Sequence, residues 1–141
     1  MLLVYTGQRR NAKTVLKHRA DATSKCMNVL RDMRELADLM RHRLLEADFD
    51  GFAELLNHGW QLKGSIGLSI ADQRIDASYE KSRQAGAQGG KLLGAGGGGF
   101  MLLMAPPECH QAIRDALDHP QEIEVHVDRL GSQIIFFNEH H

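Results

Sequence analysis

Lys91-Leu92-Leu93-Gly94-Ala95-Gly96-Gly97-Gly98-Gly99-Phe100-Met101-Leu102-Leu103-Met104 sets five glycines in six positions between two apolar runs. A backbone of this kind either comes very close to something or turns through conformations closed to other residues. Glycine inside an element costs roughly 0.5–1 kcal/mol per position relative to alanine. A chain that concentrates glycine in one place gains a surface of backbone N–H groups able to hold an anion. The flanking runs read as strands over 88–93 and 100–105, and two strands joined directly imply an antiparallel pair. A tight turn would need only one or two glycines. A plain flexible tip remains the alternative to a binding loop.

Working outward from this pair, Gly86 stops a helix predicted over 72–85, in which Ile75 and Tyr79 stand one turn apart. Asp50 is a candidate N-cap for an earlier helix with Phe52, Leu55, Leu56 and Leu62 inward, running out at Lys63-Gly64. From Asn11 onward, Ala12, Val15, Leu16, Ala22, Cys26, Val29, Leu30, Met33, Leu36, Ala37, Met40 and Leu44 recur in steps of three and four, apart from a break at Arg19. That is one long amphipathic helix, or two parted near Asp21. Leu2-Leu3-Val4-Tyr5-Thr6 reads as a short buried strand closed by Gly7.

On the other side, Pro106-Pro107 opens a helix with Ile113, Ala116 and Leu117 inward. Ile123, Val125 and Val127 alternate as a strand with one wet face, and Ile134-Ile135-Phe136-Phe137 reads as a buried strand. The order strand, helices, strand, strand, helix, strand, strand predicts an α+β two-layer sandwich. The sheet is expected to be antiparallel and close to the ferredoxin-like arrangement, with extra helices.

A chain of 141 residues is about one domain. Its net charge of −1 gives no global field to hold a nucleic acid or an anionic membrane, so a phosphate ligand has to be gripped locally. No apolar run approaches the ~20 residues of a membrane-spanning helix, and the start lacks the features of a signal peptide, which makes a cytoplasmic location the expectation. Cys26 and Cys109 are too few for a disulfide scaffold and are expected to be reduced core residues. His18, His42, His58, His110, His119 and His126 show no metal-ligand spacing, so no zinc is expected. Glu139-His140-His141 looks like a tag remnant, which leaves 1–138 as the domain.

Gly94-x-Gly96-x-x-Gly99 satisfies the dinucleotide fingerprint literally, but that fingerprint needs a helix opening at its end, and here a strand follows. A Walker loop fails as well, because no Lys-Ser or Lys-Thr follows the glycines. What survives is a glycine-rich connection between neighbouring strands.

The longer run Gly86-Ala87-Gln88-Gly89-Gly90-Lys91-Leu92-Leu93 and the glycine block up to Phe100 resemble the third sequence motif of the GHMP kinases. The stretches Leu2 to Arg10, Trp60-Gln61-Leu62-Lys63 and Phe100 to Pro107 extend the likeness, toward the branch that phosphorylates heptose 7-phosphates. The resemblance implies the C-terminal half of a two-domain kinase that moves the γ-phosphate of ATP, with magnesium, onto the anomeric hydroxyl of a sugar phosphate. In that superfamily the ATP phosphate loop, an acidic residue near the acceptor and a magnesium ligand belong to an N-terminal domain, and no such phosphate loop is present here. The fragment alone is therefore expected to be inactive and to carry no catalytic residue. Its exposed interdomain face is expected to favour self-association.

The same resemblance sets Gly94, Ala95, Gly96, Gly97, Gly98 and Gly99 beside the substrate and ATP-phosphate cleft. Lys91 and Lys63 are candidates for the sugar's existing phosphate, against plain solvated lysines. Arg9 and Arg10 precede a helix start where phosphate could also sit, or lie in an exposed turn. Trp60 reads as a core or interface anchor rather than a ligand-stacking group. The competing functional class is a free-standing ferredoxin-like module that binds a small molecule or a partner chain.

Overall fold

The computed structural model describes residues 1–7, 27–65, 73–94, 98–128, 130, 131 and 133. Strand β1 (Leu2–Tyr5) is followed by helices α1 (Met27–Leu45), α2 (Phe49–Ser65) and α3 (Gln73–Gln84). Strands β2 (Gly89–Leu92) and β3 (Phe100–Met104), a 3-10 turn (Pro107–Cys109), helix α4 (His110–Ala116) and strand β4 (Glu122–Ile123) complete the order. The strands form one antiparallel sheet in the order β2-β3-β1-β4. Sheet and helices give the expected α+β architecture.

Register decides which residues face the helices. Leu2 lies opposite Leu103 and Val4 opposite Met101, so these four share one face, and all are buried. Tyr79 from α3 and Ile113 from α4 complete that core, with Trp60, Cys109 and Leu117 packed at its margin. Each such aliphatic side chain contributes about 1.5–3 kcal/mol on burial. The opposite face carries Leu3, Tyr5, Phe100, Leu102 and Met104, all half-buried.

Helix α2 starts two residues earlier than expected, because Asp48 caps it instead of Asp50. The Gly51 N–H donates to Asp48 Oδ1 at 2.9 Å, and Arg43 donates to Asp48 Oδ2 at 2.9 Å. Ala47, with φ of 57°, makes the turn that aims this carboxylate. Asp50, already inside the helix, instead accepts from Gln88 Nε2 at 2.8 Å at the entrance of β2.

Helix α3 ends as its glycine predicts. Gly86 has φ of 106°, its N–H donates to Arg83 O, and the Ala87 N–H donates to Ser82 O, the two bonds of a Schellman ending. Strand β4 is shorter than the Ile123, Val125, Val127 alternation suggests. Only Glu122 and Ile123 pair, with Val4 and Leu3 of β1, and the Tyr5 N–H continues the same register by donating to Gln121 O. Val127 is exposed. The helical pattern over 11–26, Cys26 and the strand expected at 134–137 lie outside the described residues.

Helix α2 and β2 meet by their main chains at Gly89, where a built Cβ would stand 1.8 Å from Ala53 O, so that position admits only glycine. A Cβ on Gly90 would stand 2.7 Å from Leu102 O of the neighbouring strand and 3.0 Å from the Leu103 and Tyr79 side chains.

Candidate functional site

The glycine loop leaves β2 at Leu92 and enters β3 at Phe100. Gly94, Gly98 and Gly99 have φ of 80°, 147° and 102°, conformations that other residues adopt only under strain. A Cβ on Gly94 would meet nothing within 4 Å, and one on Gly99 only the Leu93 carbonyl oxygen at 4.0 Å. Among the described residues nothing crowds a Cβ at Gly94 or Gly99, so these two answer to backbone shape.

Both ends of the loop are tied down. The Leu93 N–H donates to Phe100 O at 2.8 Å, which closes the ladder directly beneath it. Thr6 supplies two donors to one acceptor, its N–H at 2.8 Å and its Oγ1 hydroxyl at 2.9 Å from Gly99 O. The Tyr5 and Phe100 rings lie 5.4 Å apart and steady the same corner. Sequence reasoning missed Thr6 as a loop anchor; its one signal is a hydroxyl residue at the end of the strand beside β3. Ala95, Gly96 and Gly97 lie outside the described residues, as do Arg9 and Arg10.

Lys91 is exposed on β2, opposite Leu102, and so lies on the sheet face away from the buried core. It stands three residues before Gly94. Lys63 is half-buried in the last turn of α2, where a cation faces the negative end of the helix. The contacts Asp50 with Gln88 and Ala53 with Gly89 run in the same direction along α2 and β2. The C-terminal turn of α2 is thereby directed toward the loop end of the sheet.

Trp60 is an internal anchor. Its ring stacks on Tyr79 at 3.9 Å with an interplanar angle of 11°. Its indole N–H donates to Asp76, whose carboxyl is nevertheless pushed up by burial. The Tyr79 hydroxyl donates to Asn57 Oδ1 at 2.9 Å. Burial pushes the Tyr79 phenol up to about 12, against the lowering effect of Arg83 and of the Gly90 N–H. At the far edge of the sheet, Arg114 donates from Nε and Nη2 to Glu122 and holds that carboxyl below its usual range.

Among the described residues no three His, Cys, Asp or Glu side chains converge as metal ligands, and no helix is long and apolar enough to cross a membrane. What the described residues offer is a glycine-rich connection between β2 and β3 that is tied at both ends, with Lys91 on the strand that leads into it.

Residues 17–121 match the family model described as GHMP kinases C terminal, and the chain belongs to that family. It is 29% identical over 108 residues to the D-glycero-alpha-D-manno-heptose 7-phosphate kinase of Campylobacter jejuni, a match covering 75% of this chain and 32% of that protein. It is 31% identical over 132 residues to the bifunctional fucokinase/GDP-fucose pyrophosphorylase of Arabidopsis thaliana, covering 90% of this chain and 12% of that protein. Its fold superposes on L. major mevalonate kinase with a TM-score of 0.74 at 21% identity, over 83% of this chain and 37% of that one. A putative sugar kinase from Campylobacter jejuni gives a TM-score of 0.54 at 26% identity, over 86% of this chain and 33% of that one. The chain thus spans about a third or less of the length of these relatives.

Proposed function

We propose that residues 1–138 are the C-terminal domain of an ATP-dependent sugar kinase that phosphorylates a heptose 7-phosphate on its anomeric hydroxyl. The observation that carries this reading is the anchored glycine loop, with positive φ at Gly94, Gly98 and Gly99, in a chain of the GHMP family. Phosphoryl transfer is catalysed mainly by positioning and by spreading charge off the moving group. Backbone amides of residues 94–99 serve that purpose without a side chain. Lys91 and Lys63 hold the phosphate already on the sugar, as compact point charges. ATP, magnesium and the acidic group near the acceptor are held by an N-terminal domain. The setting is the cytoplasm.

The test is ATP-dependent transfer by the protein that carries this domain together with its N-terminal partner, followed by phosphorus NMR. D-glycero-D-manno-heptose 7-phosphate is expected to be phosphorylated in preference to L-fucose and mevalonate. Preference for L-fucose would replace this reading with a second one, favoured by the 31% identity to the plant fucokinase over 90% of the chain. No transfer to any sugar or sugar phosphate would overturn both.

A further inference from the structure

Thr6 stands opposite Gly99, one step beyond the Tyr5–Phe100 pair that ends the β1–β3 register. Its N–H donates to Gly99 O at 2.8 Å, and that main-chain bond alone continues the ladder. The Oγ1 hydroxyl then donates to the same oxygen at 2.9 Å. A carbonyl has two lone pairs and accepts both. Valine has nearly the same shape and is equally at home in a strand, so the sheet itself gives no reason for a hydroxyl here. The second bond acts on Gly99.

Gly99 is a residue that needs holding. It has φ of 102°, Gly98 before it has φ of 147°, and neither carries a side chain that packing could fix. Beyond Thr6 the chain turns at Gly7, with φ of 71°, and among the described residues it makes no further hydrogen bond toward β3. On the other side, the Leu93 N–H reaches Phe100 O and not Gly99. Among the described residues, the Gly99 carbonyl is therefore the last tied point before Gly98. The N–H groups of Gly98 and Gly99 meet no acceptor among those residues.

We propose that Thr6 is a positioning residue for phosphoryl transfer: its hydroxyl holds the Gly99 carbonyl, and through it sets where the amides of Gly98 and Gly99 stand. The functional half of this role rests on the kinase reading above. The Gly99 N–H and the held carbonyl share one α-carbon, so a swing of the carbonyl carries the amide with it. Misplacement of a reacting group by about 1 Å is enough to cost up to a hundredfold in rate.

Thr6→Val keeps the shape and the ladder N–H and removes only the hydroxyl, whereas Thr6→Ser keeps the hydroxyl and removes a methyl. Thr6→Ala, which also lacks the hydroxyl, takes the place of Thr6→Val should that variant fail to fold. In the 141-residue chain, the NMR order parameters of the Gly98 and Gly99 amides are expected to fall by about 0.2 in Thr6→Val, with that of Leu103 unchanged and Thr6→Ser like the natural protein. In the intact kinase, Thr6→Val is expected to lower kcat about tenfold with the KM for ATP within about twofold, the split expected when placement is lost and binding is kept. Thr6→Ser should restore kcat to within about twofold of the natural protein. Unchanged order at Gly98 and Gly99 overturns the tether, and lower order with unchanged kcat overturns the positioning role. A Thr6→Ser protein as slow as Thr6→Val overturns the assignment to the hydroxyl. A natural protein that transfers phosphate to no sugar or sugar phosphate defeats the kinase reading and this role with it; that failure shows in the unmutated protein, while failure of the Thr6 role alone shows only in the variants.

Discussion

A methyl group on Gly89 would sit 1.8 Å from the Ala53 carbonyl oxygen, and because both partners are main chain, one element has to move. Gly94 presents the opposite case, with φ of 80° and nothing within 4 Å of a built Cβ. Gly89→Ala is expected to cost about 2–4 kcal/mol, the range of overpacking against a rigid neighbour. Gly94→Ala should cost only about 1 kcal/mol, for the left-handed backbone. Urea unfolding of the two variants side by side checks this, and equal losses would mean that α2 yields. Both glycines were legible as part of one glycine-rich run, but nothing in the run itself distinguishes them. The difference lies in Ala53, which is 36 residues away and invisible to local spacing. Tyr79 gives a second residue-scale prediction. Burial pushes its phenol from the ordinary 10.0 up to about 12, so the folded protein keeps the phenolic proton longer than the unfolded chain. The resulting stability is complete below pH 10 and is lost as pH rises toward 12. Unfolding midpoints measured across that window should fall more steeply for the natural protein than for Tyr79→Phe.

Among the elements, α2 shows how a boundary two residues out changes a residue's role. Asp48 caps the helix and pairs with Arg43, whereas Asp50 reaches Gln88 at the start of β2. Replacing Asp48 by alanine is expected to cost about 1 kcal/mol, mostly from the cap. The Arg43 pair is exposed and adds little. Asp50→Ala should cost less than half as much in the same denaturation series, and the reverse order would restore Asp50 as the cap. The antiparallel joining of β2 and β3, the glycine stop of α3 and the inward Ile113 were all readable, because period, turn chemistry and caps are local signals. Trp60 read correctly as an anchor, yet its partner did not, since the stack on Tyr79 joins two helices with no shared local pattern. Thr6 was missed for the same reason. Its two hydrogen bonds to Gly99 span 93 residues and exist only because β1 lies beside β3. Strand β4 was overread, because alternation signals a half-buried strand but cannot report how much partner strand is available.

At the scale of the whole molecule, the proposed function makes the chain one wall of a kinase site. On that proposal, the loop's backbone shape and its anchoring by Thr6 serve to hold a phosphate and its acceptor. Bringing ATP in line with the acceptor needs a second set of groups on the other side of the transferred phosphoryl, since most of the catalytic advantage is placement. The described residues bring no three potential metal ligands together, and the chain matches 32% of the heptose phosphate kinase it resembles. Leu39, Leu44, Leu45 and Phe49 are exposed around the α1–α2 corner, an apolar surface of the kind that associates. Sedimentation of the 141-residue chain is accordingly expected to show self-association at high concentration, and a clean monomer would count against it. The same preparation supplies the sharper test of the division of labour. Incubated with ATP, magnesium and heptose 7-phosphate, it is expected to give no phosphoryl transfer above the uncatalysed background, while joining it to an N-terminal GHMP domain should restore transfer. Turnover by the 141-residue chain alone would mean that the phosphate-holding machinery lies within these residues, and the two-domain reading of the site would fall.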